Sequence, residues 1–116
     1  MGAFTHADHE VSPERAAELL AGGEAEIIDV REPYEREAGY IEGSRHLPLE
    51  HVASNADTID RGRPVVFHCR LGARSGRVTQ AIRAAGDDAY TLPGGIQAWA
   101  DAELPLAPEG GTVADH

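Results

Sequence analysis

Cys69 is the one cysteine of the chain, so it is either a small buried apolar residue or a reactive nucleophile. Its neighbours favour the nucleophile. It follows the β-branched and aromatic run PVVFH at residues 64–68, which reads as a strand buried on both faces. It precedes Arg70-Leu71-Gly72-Ala73-Arg74-Ser75, and residues 73–85 read as a helix with Val78, Ala81, Ile82 and Ala85 on one face. A loop that enters a helix aims several backbone N–H groups at one point. The helix N-terminus adds roughly +0.5 of a charge, and Arg70 and Arg74 add full positive charges. Such surroundings favour a thiolate over a thiol. Gly72 supplies the positive φ that a tight loop needs. Ser75 is divided between a helix cap and a substrate contact. His68 would point away from Cys69 on a strand and reads as a core residue rather than a base. His46 and His51 lack ligand spacing with the cysteine, so neither a metal nor a cofactor is expected.

The charge pattern supports an anionic small molecule as the reactant. The chain of 116 residues has a formal net charge of −10, and all ten of its basic residues are Arg. Residues 61–86 hold six of these (Arg61, Arg63, Arg70, Arg74, Arg77 and Arg83) and no Asp or Glu. The expectation is a local positive funnel around Cys69 in an acidic protein, attractive to a small anion and unsuited to nucleic acid or an anionic membrane. No apolar run approaches the roughly 20 residues that span a bilayer. The first residues, MGAFTHADHEVSPE, lack the basic and apolar regions of a secretory signal, and the cytoplasm is the expected compartment.

The elements that must position Cys69 alternate along the chain. Ser12-Pro13-Glu14 opens a helix that stops at Gly22, with Ser12 as N-cap. Residues 26–30 (EIIDV) form a short strand and 33–38 a helical turn; a further extended piece lies around His46-Leu47. Residues 49–59 are a helix candidate, 89–92 a strand and 96–102 a short helix carrying Trp99, which is assigned to the core. Strand–helix alternation predicts an α/β domain with a small open parallel sheet and helices on both faces. Ligands in such sheets sit beyond the carboxyl ends of the strands, where Asp29, Arg31 and Cys69 fall. The strand order does not follow from this pattern. The domain is expected over residues 11–107, with flexible segments at 1–10 and 108–116.

The loop CRLGARS resembles the active-site loop of the rhodanese family, Cys-x-x-Gly-x-Arg-Ser. IIDVREPYEREAGYIEGSRHLPL is similar to that family's first signature and LPGGIQAWADAELPL to its last, in family order. The chain departs from the pattern at Tyr40, Glu42 and the large apolar Leu71; the last bears on substrate preference. The resemblance implies a rhodanese-like fold and a thiosulfate sulfurtransferase. Its Cys69 would take the outer sulfur of thiosulfate, release sulfite, and pass the persulfide sulfur to cyanide or to a thiol such as glutathione or thioredoxin. Arg70, Leu71, Gly72, Ala73, Arg74 and Ser75 would bind the substrate. Arg74 either contacts the donor directly or braces the loop through a carboxylate such as Glu35, and a planar guanidinium suits both roles. Asp29, Arg31 and Glu35 are candidate loop supports.

Two other readings compete. A sulfur-relay module acting on a partner protein's thiol would use the same chemistry at Cys69. Cysteine phosphatases and arsenate reductases share the fold by resemblance, but place five residues between Cys and Arg. Here four residues separate Cys69 from Arg74, and the smaller ring of N–H groups suits a sulfur atom better than a tetrahedral phosphate.

Overall fold

The computed structural model describes residues 9–114. Four strands form one sheet in which every neighbouring pair is parallel: β1 (Glu26–Asp29), β2 (Arg45–His46), β3 (Val65–His68) and β4 (Ala89–Thr91), in the spatial order β2-β1-β3-β4. The alternation of side chains along the strands divides the core in two. Ile28, Val65 and Phe67 face one side with Val52, Ile59, Val78 and Ile82. Ile27 and Val66 face the other with Ala16, Leu19, Ile96 and Trp99. Helix α3 (Ala73–Ala84) covers the first face; α1 (Pro13–Ala21) and α4 (Gly95–Asp101) cover the second. The open parallel sheet with helices on both faces is the architecture expected from the sequence.

Helix α1 starts where its local chemistry says it should. Ser12 Oγ accepts the Arg15 N–H at 3.1 Å, with Pro13 in the first turn. The short α2 (Pro33–Ala38) is closed by a capping box in which Glu35 accepts the Glu32 N–H at 2.9 Å. Trp99 is buried, with its indole N–H on Pro105 O at 2.9 Å, as its core assignment requires. Among the described residues, no helix is long and apolar enough to cross a membrane.

The structure departs from the sequence reading in two places. Residues 49–59 form two 3₁₀ segments, Leu49–His51 and Ala53–Thr58, instead of one α-helix. Ser54 and Asn55 both donate to His51 O, and Thr58 donates to Asn55 O; these local bonds compete with the α-helical ladder. The second departure is the segment expected as a tail from residue 108. The Thr112 N–H donates to Ala38 O at 2.7 Å, and Val113 packs on the second core face. Gly39 permits this, since a Cβ there would meet Thr112 O. At the other end, residues 1–8 of the expected flexible segment lie outside the described residues, as do 115–116. His9 and Val11 exchange backbone hydrogen bonds with Thr91.

Candidate active site

Strand β3 ends at His68, and the next residue, Cys69, is 1% exposed. Its Sγ accepts the Gly72 N–H at 3.1 Å and the Ser75 N–H at 3.4 Å. Ser75 Oγ lies 3.6 Å from the same sulfur. Gly72 adopts φ 113° to turn the chain into α3, a region costly to any residue with a Cβ. Ser75 stands in the first turn of α3, so the sulfur also sits at the positive end of that helix. The cradle expected from the sequence is therefore formed by Gly72 and Ser75, around a sulfur withdrawn from bulk solvent. Leu71 stands at the tip of the loop, 57% exposed.

Arg74 does not turn into the cradle. Its guanidinium forms a two-pronged pair with Glu35, at 2.9 and 3.0 Å, and Glu35 is fully buried. Burial raises the Glu35 carboxyl, but the hydrogen bond from Arg74, the backbone N–H and the neighbouring charges outweigh it and hold the group below its usual range. The hydrogen bonds that Arg74 donates to Glu35 raise Arg74 in turn, against burial and with help from the charges of Glu35 and Cys69. Of the two roles open to Arg74 in the sequence, the geometry has the brace. It ties the loop after β3 to α2, and α2 is held in turn by its own capping box.

Asp29 and Arg31 are one step further from the sulfur. Both are fully buried. Arg31 Nε and Nη2 donate to the two carboxylate oxygens of Asp29 at 2.9 Å each, and Nη2 also reaches Gly39 O at 2.8 Å. Arg36, which the sequence did not single out, joins them at 3.3 Å from Asp29 and stacks over Tyr40. This cluster fixes the end of β1 beside His68, through the Val30 N–H on His68 O at 3.0 Å. Asp29 and Arg31 therefore support the neighbouring strand, whereas Glu35 supports the loop directly.

The charge cluster is less open than the sequence implies. Arg61 pairs with Asp87 and Arg63 with Asp60, both just outside the basic window. Arg74 pairs with Glu35, and Arg83 donates to Ala89 O and lies over Tyr90. The carboxylates missing from the window in sequence are supplied in space. The funnel expected from six charges is correspondingly reduced.

His68 is a core residue, as expected. It is fully buried, with Nδ1 3.3 Å from Cys69 O, and burial pushes it down to about 4, against the raising effect of Asp29. Burial raises Asp29 too, but the hydrogen bonds of Arg31 and the charges of His68 and Arg31 outweigh it and bring the carboxyl to about 2. Both folded values lie below the unfolded ones, so the unfolded chain binds more protons and stability falls as the solution is acidified. The His68 share is complete above 6.5 and lost as the pH falls toward 4; the Asp29 share is lost from 3.8 toward 2. The His68 shift corresponds to about 3 kcal/mol. Urea unfolding across the His68 window is expected to show this slope, and His68→Asn should flatten it. An equally steep slope in the variant would assign the acid sensitivity elsewhere.

Two contributors carried no signal strong enough to find in sequence. Thr91 Oγ1 is 2.8 Å from Ser75 Oγ, directly behind the cradle. Gly95, at the start of α4, lies against the loop, with the Ile96 N–H on Cys69 O at 2.8 Å and the Gln97 N–H on Arg70 O at 3.1 Å. The Gly94-Gly95 pair was the only available pointer, and it reads equally as a plain turn.

Comparison with known proteins agrees with this geometry. The Rhodanese-like domain profile matches residues 12–102. The thiosulfate sulfurtransferase GlpE of Pseudomonas aeruginosa is 33% identical over 90 residues, covering 77% of this chain and 81% of that protein. A sulfurtransferase of Allochromatium vinosum is 35% identical over 105 residues, covering 88% and 98%. The uncharacterized protein YqhL of Bacillus subtilis is 41% identical over 76 residues; the match takes in 65% of this chain and only 60% of that protein. Among solved structures, a rhodanese-related protein of Thermoplasma volcanium superposes with a TM-score of 0.80 at 24% identity, over 87% of this chain and 99% of that one. With the family profile spanning nearly all of the described fold and two sulfurtransferases matched over most of their length, the chain belongs to the rhodanese-like domain family.

Proposed function

We propose that this chain is a thiosulfate sulfurtransferase working through a persulfide on Cys69. The observation that carries the reading is the shared aim of the Gly72 and Ser75 N–H groups at one sulfur. The Cys69 thiolate attacks the outer sulfur of thiosulfate. A new S–S bond forms, the old one breaks, and its electron pair leaves with sulfite. Cys69 then carries an anionic persulfide, which the backbone N–H groups and the α3 terminus stabilise without a separate base. An incoming thiolate, such as that of glutathione or thioredoxin, or cyanide attacks the terminal sulfur and returns Cys69 as thiolate. Arg70 and Leu71 border the path to the sulfur; Arg74 acts on it through the loop that it braces.

A protein thiol as the acceptor is favoured by one observation. Leu71 and Tyr34 are the large hydrophobic residues left exposed among those described, at 57% and 52%. Leu71 is on the active loop, and Tyr34 is on α2 next to Glu35, the partner of Arg74. An apolar rim of this kind suits a macromolecular surface better than a small anion.

Incubation with thiosulfate followed by intact-mass measurement tests the reading. One added sulfur is expected, removable by cyanide with formation of thiocyanate. A chain that gains no sulfur from thiosulfate, with its thiol fully reduced beforehand, rules the donor out.

A further inference from the structure

We propose that Thr91 is a positioning residue for Cys69, acting through Ser75 to aim a hydroxyl proton at the sulfur. Thr91 is the last residue of β4 and is 6% exposed; Ser75 is fully buried. Their hydroxyl oxygens are 2.8 Å apart, and either one can donate. Ser75 Oγ has two further neighbours able to accept its hydrogen, Gly72 O at 3.3 Å and Cys69 Sγ at 3.6 Å. Among the described residues, Ser75 Oγ is the hydrogen-bond partner found for Thr91 Oγ1.

That asymmetry sets the direction of the chain. If Ser75 donated to Thr91, the Thr91 hydroxyl, 6% exposed, would have no acceptor for its proton among the described residues, which is costly. If Thr91 donates to Ser75, every hydroxyl proton has a destination. The Ser75 proton is then free to serve Gly72 O while Cys69 is a thiol whose S–H donates to Ser75 Oγ. Once the thiol proton has left for solvent, the thiolate becomes the stronger acceptor, and the Ser75 proton turns to it. Thr91 thus prevents the Ser75 hydroxyl from spending its one hydrogen backward into β4. It does so from the far side of the loop, without touching a substrate.

The consequence for sulfur transfer rests on the function proposed above; the test does not. Iodoacetamide alkylation of Cys69 in mildly acidic buffer reports the availability of the thiolate whatever its natural substrate. Thr91→Val keeps the side-chain volume and removes the hydroxyl. It is expected to slow alkylation about fivefold, the scale of one net hydrogen bond. Thr91→Ala should give the same loss, and Thr91→Ser should restore the rate, which a role in packing alone would not do. In a Ser75→Ala background, Thr91→Val should add nothing, because the path runs through Ser75. An unchanged rate in Thr91→Val overturns the proposal, as does an equal further loss in the Ser75→Ala background. With thiosulfate, the maximal rate of persulfide formation should fall while the half-saturating concentration stays put. A wild-type protein that alkylates as described but gains no sulfur would overturn the sulfur-transfer reading and leave the Thr91 assignment standing.

Discussion

Cys69→Ser is expected to fold as the wild-type chain does and to transfer no sulfur. The substitution exchanges one atom in a buried cradle where the Gly72 and Ser75 N–H groups can donate to oxygen as readily as to sulfur. Nothing else in the loop has to move. The brace between Arg74 and Glu35 and the backbone bonds to α4 involve no atom of the replaced group. The chemistry, by contrast, has no substitute. A serine hydroxyl remains protonated near neutral pH and is a poor nucleophile toward sulfane sulfur, and the chain has no second cysteine to take over. A loss of at least about 10⁴-fold in thiocyanate formation is expected, as for removal of a covalent nucleophile elsewhere. Mass measurement should show no added sulfur, and thermal unfolding should show a midpoint close to wild type. Residual turnover near the wild-type level would remove Cys69 from the mechanism and the persulfide with it.

The local features of the site were legible because chemistry and geometry coincide along a short stretch of chain. Cys69, Gly72 and Ser75 lie within seven residues at a strand-to-helix junction, and the pattern of the strand, the glycine and the helix start can be read in order. That β3 is buried on both faces followed from the continuous run VVF, without polar alternation. The brace was half legible. Glu35 could be named as a partner for Arg74, but a pair separated by 39 positions is chosen by the packing of α2, not by spacing. The strand order was not legible, since alternation fixes parallel pairing and not which strand is central. The apparent positive funnel misled for a related reason. The window 61–86 stops just short of Asp60 and Asp87, which pair with Arg63 and Arg61, and it cannot show Glu35, which packs onto Arg74 from 39 positions away. Thr91 was invisible, and Gly95 was readable only as half of the Gly94-Gly95 turn, because their roles exist only in contacts with a loop about twenty residues away.

Gly95→Ala is expected to disable the site from outside it. Gly95 has φ 61°, and a Cβ at that position would lie 2.4 Å from both Cys69 O and Arg70 O. These are backbone atoms, so no side chain can swing aside to make room. The two carbonyls are also the ones held by the Ile96 and Gln97 N–H groups at 2.8 and 3.1 Å. Within a trans peptide unit, C=O and N–H point in opposite directions. Anchoring the carbonyls of Cys69 and Arg70 on α4 therefore turns the N–H groups of Arg70 and Leu71 away from α4. Relieving the clash requires loop and helix to part by roughly 1 Å, which lengthens both anchors and releases the peptide units they orient. A displacement of that size at a preorganised site costs on the order of 100-fold in rate. The positive φ and the overpacking together cost about 2–5 kcal/mol of stability. Gly23→Ala separates the two causes, because Gly23 has a similar φ of 70° and nothing within 4 Å of its would-be Cβ. It should lose only the backbone share, about 1–2 kcal/mol, and keep full sulfur transfer. Urea unfolding of both variants, with persulfide formation measured on the folded protein, decides the matter. A Gly95→Ala protein no less stable than Gly23→Ala, and still active, would mean that the contact between α4 and the loop does not hold the cradle in shape.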